Sequence, residues 1–285
     1  MYGIIVYEEK DALYNRSFIE YLIEQGKKKG LTLELCLLEK FEFGISETGY
    51  VVRYDNKPFR RPEVVLYRCR EYLLSRQFES MGIVVVNSSK VCEICNDKAA
   101  TYQYVAKLGI HMVPSLFVKN NRLKEAIEYS KEAVVVKAVS GHGGSQVCLI
   151  HPDNKEEMKS CIVTMEGEDV VVQPLIKGRE QDLRVYVIGG KIIAAVLRSA
   201  NGDFRSNFSL GGSVELYSLS EEEREIVEAI TSELALDYAG IDFIIGENGE
   251  LIFNEIEDVV GARMLYQCSD LDIVPMYIDH ILQKL

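Results

Sequence analysis

Residues 240–258 read GIDFIIGENGELIFNEIED, two apolar runs around Asn248-Gly249. Asn-Gly flanked by apolar residues is the strongest short-range signal for a β-hairpin, so most of this stretch reads as buried β-structure. A two-residue turn pairs Glu247 with Glu250 and sets Asp242 opposite Glu255. Glu257 shares the face of Glu255, because strand side chains alternate with a period of two. A four-residue loop keeps that register, and an odd-length loop breaks it. Three carboxylates then converge on one face of an apolar ribbon. Like charges directly opposite destabilise a sheet, and burial without a counter-ion raises the cost. A hard divalent cation resolves the conflict, and oxygen ligands suit Mg²⁺. A solvent-facing ribbon end resolves it too, as does pairing with Arg184, Arg198 or Arg205.

The start of the chain has a different pattern. GIIVY (3–7) is a short buried strand, and RSFIEYLIEQGKKKG sets Phe18, Ile19, Leu22 and Ile23 on one helical face, with Gly30 as a stop. LTLELCLL (31–38) is a second strand. This β-α-β opening implies a parallel sheet, continued by VVLYR (64–68), a helix near 71–81 and GIVVVN (82–87). Residues 1–95 form an N-terminal α/β domain, with an irregular or hairpin insert over 41–62. A second unit, 96–172, follows. It has a helix over 91–108 at its entry, a helix over 122–131, and strands over 133–139 and 147–150. The third unit, 173–285, alternates strands with helices near 220–236 and 271–284.

Between the strands of the second unit lies SGHGGSQ, with Gly141, Gly143, Gly144 and Ser145 after Lys137. A Gly/Ser turn can aim backbone N–H groups at phosphates, and a nearby lysine adds a point charge. No Gly-Lys-Ser/Thr ends the loop and no helix follows, so it is not a P-loop; an ordinary β-turn is the plain alternative. Lys98 opens a helix that Asn96 or Asp97 can cap. VVVQPLIKG (170–178) is a strand stopping at Pro174 between two lobes, where backbone groups can meet a purine edge. Asp182 and Arg184 open a hairpin over 182–208 whose end leads into Arg205, Ser206 and Asn207. Arginines beside metal-binding carboxylates suit a phosphoryl or acyl-phosphate group.

A net charge of −12 argues against nucleic-acid partners. No apolar run approaches the ~18 residues of a membrane span, and the first residues lack a signal-peptide pattern. Seven scattered cysteines fit a reducing cytoplasm. Cys92 and Cys95 have a C-x-x-C spacing without a second ligand pair; a helical context puts one thiol buried and one half-exposed. His142 sits in the Gly-rich loop, within reach of phosphate or substrate or as loop filler. Arg263 is placed either to bind a substrate carboxylate or to pair with Asp258 or Glu257.

These pieces, in this order and over nearly the whole chain, resemble the ATP-grasp superfamily and within it the RimK-like α-L-glutamate ligases. The most specific runs are GDFRSNFSLGGSVE (202–215) and ALDYAGIDFI (235–244). The resemblance implies an ATP-grasp fold, α/β and α+β, with an N-terminal pre-ATP-grasp domain. It assigns Lys98 and Lys137 to ATP phosphates, with the loop Gly141, Gly143, Gly144 and Ser145 closing over the triphosphate. Gln173, Pro174 and Leu175 read adenine through the backbone, by the Leu175 N–H and the Pro174 C=O, and Asp182 touches ribose. Arg205, Ser206 and Asn207 line the phosphate end, with Arg184 near the acyl phosphate. Asp242, Glu255 and Glu257 hold two Mg²⁺ ions, with Mn²⁺ as an alternative. The chain departs from the family in three places. Gln-Pro-Leu replaces Gln-Glu-Tyr in the linker, Glu257 replaces a metal-site asparagine, and Gln146 replaces a glycine.

The implied activity is an ADP-forming carboxylate–amine ligase working through an acyl phosphate, with Arg184, Arg205 and Asn207 at the reacting centre. The partners are ATP, a carboxylate acceptor (protein, peptide or small acid) and an amino-acid amine, with no nucleic acid and no membrane. Homo-oligomers occur among such ligases. The competing readings are a catalytically weak ATP-binding regulatory module and a D-Ala–D-Ala-type or peptide-tailoring ligase.

Overall fold

A computed structural model describes residues 1–144, 146–199 and 213–285. Four strands build the N-terminal sheet in the order Thr32–Leu37, Tyr2–Tyr7, Val64–Tyr67, Val84–Val86. All three pairings are parallel, as the β-α-β opening implies. Parallel sheets need cover on both faces. Ile5 and Tyr7 face the helix Arg16–Lys28 and the last helix, Ile273–Gln283, whose Tyr277 and Ile278 complete that core. Ile4 and Val6 face the opposite way, onto Leu74 and Phe78 of the helix Leu73–Ser80. The insert is a three-stranded antiparallel ribbon, Phe41–Ser46, Gly49–Tyr54 and Lys57–Pro58.

The helix expected over 91–108 is two helices, Ser89–Cys95 and Lys98–Ala106. The break falls at Asn96-Asp97, where the Asp97 carboxylate accepts from Ala100 N at 2.8 Å and caps the second helix. An aspartate satisfying the first free amides favours a new helix start over continuation. Both C-x-x-C thiols are buried, against the expectation of one half-exposed, and Cys92 Sγ donates to the Cys69 carbonyl at 3.3 Å.

An antiparallel sheet follows, ordered Val147–Ile150, Val134–Ala138, Val170–Pro174, Leu116–Val118. The helices Leu123–Glu128 and Lys155–Thr164 cover its outer face through Leu123, Ile127 and Cys161. The second of these helices has no counterpart in the sequence reading, because its exposed, charged surface leaves only Cys161 buried. The last sheet is five-stranded and antiparallel, ordered Ser213–Tyr217, Lys191–Ser199, Gly178–Ile188, Tyr238–Gly246, Leu251–Glu257. Its core face packs Leu183, Val185, Phe243 and Phe253 against Val227 and Ile230 of the helix Glu221–Glu233. No helix among the described residues is long and apolar enough to cross a membrane.

The hairpin over residues 240–258 forms, but with a loop of a different length from the one expected. Gly246 N bonds to Glu250 O at 3.0 Å, and Gly249 N bonds to Gly246 O at 3.0 Å with Gly249 at φ +89°. The loop is therefore 247–249, an odd length, so Glu247 does not pair with Glu250. Asp242 nevertheless lies opposite Glu255, because the register shifts by one between Asp242 and Phe243. Asn254 is the inserted residue of a β-bulge, which undoes the offset of the loop.

Candidate active site

The two antiparallel sheets face each other across a cavity of about 920 Å³, within the size range of ligand sites. Lys98, Lys137, Gly141, Gly143 and Gly144 line one side, and Asp182, Arg184, Asp242, Glu255 and Glu257 line the other. Gln173, Pro174 and Leu175 close the end between the lobes. Ser145, Arg205, Ser206 and Asn207 lie outside the described residues.

Strand register explains the charged wall. Arg184 pairs with Asp242 on one side, and Asp182 pairs with Arg198 on the other. Arg198, Asp182, Arg184, Asp242, Glu255 and Glu257 thus form a row across one sheet face. The Arg184 fork grips Asp242 with Nε at 2.8 Å and Nη2 at 2.7 Å, and Arg198 Nη2 adds a third bond at 2.8 Å. Arg184 Nη1 also lies 2.6 Å from Glu257 Oε2, and Arg198 ion-pairs with Asp182. Burial opposes the Asp242 charge, yet the two guanidiniums hold its carboxyl well below the usual carboxylate range. The crowding of carboxylates is met in this structure by arginine, and sequence reasoning had weighed Arg198 only as such a partner.

The opposite wall carries the two lysines. Lys98 Nζ donates to the Gly141 carbonyl and lies 4.0 Å from Glu255 Oε2. Lys137 Nζ donates to Asn254 Oδ1 at 2.8 Å, and burial pushes its ammonium down to about 8. Asn254 was missed as a cavity residue. Its signal was the spacing of core residues Leu251, Phe253 and Ile256, which steps by two and then by three. Gly143 and Gly144 have φ of +64° and +75°, a conformation that glycine alone adopts at little cost. His142 lines the cavity beside them; burial, then Arg70 and Lys98, lower its imidazole to about 3.

At the end between the lobes, the Leu175 N–H already donates to Ala133 O at 3.0 Å. The expected backbone donor is therefore used by the fold, and Ile176, also in the lining, is the next amide. The Gln173 side chain is tied to Ser115 Oγ at 2.8 Å. Asp182 Oδ1 is buried with no hydrogen-bond partner among the described residues.

Oxygen donors suited to a hard divalent cation are present. The Glu255 side chain is 40% exposed, and Glu257 Oε2 is buried and ion-paired but has no aligned hydrogen-bond donor. Asp242 differs, because both its oxygens are engaged. Among the described residues, no three of His, Cys, Asp or Glu are grouped to hold a metal. Arg263 pairs with neither Asp258 nor Glu257; it stacks on Tyr14.

The family described as the RimK-like ATP-grasp domain matches residues 95–281. The uncharacterized protein MG011 of Mycoplasma genitalium is 30% identical over 99% of this chain and 93% of its own. A probable alpha-L-glutamate ligase of Methanococcoides burtonii is 29% identical, covering 95% of each chain. The ATP-grasp ligase PsnB, solved with a minimal precursor, superposes with a TM-score of 0.71 at 19% identity, covering 99% of both chains.

Proposed function

The chain belongs to the RimK-like ATP-grasp family of ATP-dependent ligases, and we propose how its cavity joins a carboxylate to an amine. One observation carries the proposal: the charged row across the last sheet faces Lys98, Lys137 and the Gly-rich loop over a single cavity. Residues 1–95, 96–172 and 173–285 act as three units, with the loop on the second and the carboxylates on the third. Lys98 and Lys137 bind the ATP phosphates, Lys98 exchanging the Gly141 carbonyl for phosphate oxygen, and Gly141 to Ser145 close over the triphosphate. Adenine lies against Gln173, Pro174 and Leu175 with the Ile176 amide as donor, and Asp182 Oδ1 accepts from a ribose hydroxyl.

An oxygen of the acceptor carboxylate attacks the γ-phosphorus, the bond from that phosphorus to the bridging oxygen breaks, and ADP leaves. The amine nitrogen then attacks the acyl carbon, the bond to phosphate breaks, and the amine loses a proton. Arg184 hydrogen-bonds Asp242 through Nε and Nη2 and ion-pairs with Glu257 through Nη1, leaving N–H donors on both Nη atoms for the transferring group and the tetrahedral oxyanion. Arg205, Ser206 and Asn207, outside the described residues, are assigned to the same chemistry by the resemblance alone. Bound Mg²⁺ would supply charge stabilisation at the phosphate oxygens; Glu255 and Glu257 would hold it, and Asp242 would be a further oxygen donor were one of its arginine hydrogen bonds given up. Two ions, Mg²⁺ with Mn²⁺ as substitute, complete this reading.

A glutamate-type amine is supported by the name of the Methanococcoides relative, and a peptide acceptor by the precursor bound to PsnB. A cytoplasmic setting fits seven cysteines of which none forms a disulfide among the described residues. The test is ADP release from Mg-ATP across paired acids and amines, with mass spectrometry of the product. The expected result is acid-stimulated ADP release with an amide of the summed mass less water. Nucleotide binding with no ADP release from any pair overturns the ligase reading and leaves a binding module.

A further inference from the structure

Arg184 stands on the strand Gly178–Ile188 and Glu257 on the strand Leu251–Glu257, with the strand Tyr238–Gly246 between them. Arg184 Nη1 nevertheless lies 2.6 Å from Glu257 Oε2, so the side chain crosses the middle strand. Arg184 pairs with Asp242, Tyr186 with Gly240, and Gly240 in turn with Glu257. Gly240 is therefore the diagonal neighbour of Arg184 on the same sheet face, and the path to Glu257 runs over it.

The space above Gly240 is already filled. A Cβ there would lie 3.2 Å from Arg184 Cδ, 3.3 Å from Arg184 Nε and 2.9 Å from Val260 Cγ2. Backbone conformation does not explain the glycine, since Gly240 is not among the residues with positive φ. Glycine inside a strand costs entropy and packing, and it marks places where another group approaches closely. Here the approaching groups are the Arg184 stem and Val260.

Val260 is buried, and the turn that carries it is fastened from two sheets. Val260 O accepts from Arg68 Nη2 at 2.6 Å, and Gly261 O accepts from the Tyr186 hydroxyl at 3.2 Å. Arg68 is 3% exposed, follows the strand Val64–Tyr67 of the first sheet, and also donates to the Tyr7 hydroxyl at 3.2 Å. Val260 has no room to retreat. A side chain at 240 therefore displaces Arg184, whose other side is the open cavity. That displacement breaks a planar fork whose Nε and Nη2 meet Asp242 while Nη1 meets Glu257.

We propose that Gly240 is a positioning residue: its missing side chain opens a slot, walled by Val260, in which Arg184 lies flat between Asp242 and Glu257 with its remaining N–H donors toward the transferring group. The role of those donors rests on the ligase reading; the slot itself does not.

The test adds a methyl group at 240 in two backgrounds, as Gly240→Ala and as Gly240→Ala/Val260→Ala beside Val260→Ala. The second background removes the contact to Val260 and leaves those to Arg184. Urea unfolding reads stability. The heteronuclear NMR signal of Arg184 Nε–H, identified by its loss in Arg184→Lys, reads the side chain through its exchange with solvent. Wild type exchanges slowly, because this N–H donates to buried Asp242 at 2.8 Å. Gly240→Ala lowers stability and speeds exchange at least about tenfold, the scale of one lost charge-assisted hydrogen bond. In the Val260→Ala background the methyl costs little stability yet still speeds exchange. ADP release at saturating substrates falls at least about tenfold in both, on the way to the roughly hundredfold cost of a 1 Å misplacement, while the KM for ATP holds. If Gly240→Ala does not fold, the Val260→Ala background decides. Fast exchange in wild type, exchange that stays slow with the methyl, or a gain seen only while Val260 is present overturns the proposal. Full turnover alongside fast exchange overturns the positioning role. ADP release absent from wild type removes the ligase reading instead, and exchange then judges the slot by itself.

Discussion

Asn254 and Glu255 are adjacent in sequence, yet both side chains face the cavity. Strand alternation forbids this without an inserted residue, and the bulge at Asn254 supplies it. The result brings Asn254 Oδ1 to 2.8 Å from Lys137 Nζ, on the facing sheet. Asn254→Ala removes the side-chain oxygen that accepts from that ammonium. A hydrogen bond to a charged group contributes about 1.5–3 kcal/mol; part of this is recovered from solvent, so ATP affinity falls roughly three- to tenfold. Titration calorimetry with ATP checks it, and an unchanged dissociation constant shows that Lys137 is positioned without Asn254.

The same bulge marks where the sequence was legible and where it was not. The opposition of Asp242 and Glu255 was read correctly from a turn of the wrong length, since loop and bulge errors offset each other. Strands such as Val147–Ile150 were plain because β-branched and apolar runs end at glycine or turn residues. The arginine clasp on Asp242 was not plain, because nothing local assigns Arg198 to Asp242 across an intervening strand. The helix break at Asn96-Asp97 was visible only as a cap signal inside a continuous helical pattern. Long-range pairing and backbone irregularities are set by tertiary packing, which single-residue patterns under-report.

Glu255 and Asp242 separate binding chemistry from stability. The Glu255 side chain is 40% exposed, and its one ion pair among the described residues is with Lys98 at 4.0 Å. Glu255→Gln therefore changes stability by no more than about 0.5 kcal/mol, while ligase turnover falls at least about a hundredfold, the ~2.7 kcal/mol scale of one lost charge contact in a transition state. Asp242→Asn leaves Arg184 and Arg198 short of a counter-charge in a buried site, and breaking such a network costs about 3–5 kcal/mol. Urea unfolding and ADP release measured on both variants check the contrast. Full turnover in either variant removes that residue from the proposed metal site.

Asn87 joins the first sheet to the last without touching the cavity. It is 3% exposed, donates to Tyr238 O at 2.8 Å and Asp258 O at 3.0 Å, and accepts from Asp237 N and Tyr238 N at 2.8 and 3.0 Å. Asn87→Ala strands four buried backbone groups at once. At about 1 kcal/mol or more per stranded group, the variant loses about 3–5 kcal/mol. Denaturant unfolding measures this loss, and hydrogen exchange at Asp237 and Tyr238 should quicken first. Slow exchange there with wild-type stability means water replaces the side chain.

Lys137 gives the cavity a pH dependence of definite sign. Burial lowers its ammonium to about 8 in the nucleotide-free chain; Glu255 opposes that shift and Lys98 adds to it. An unfolded lysine keeps its proton to about pH 10.4. Between those values the unfolded chain binds more protons than the folded one, so the penalty for burying the charge is present in full below about 8 and is relieved as pH rises through the window. ATP affinity runs the other way, because phosphate attracts the charged form. It is highest below about pH 8 and weakens above, by at most about tenfold per pH unit for one coupled proton. Lys137→Arg keeps its charge throughout and flattens the profile, whereas Lys137→Met is flat and weak. Calorimetry across the window distinguishes the three. A wild-type affinity that stays level up to about pH 9.5 means that Lys137 holds its proton in the free chain and that the shift ascribed to burial is absent.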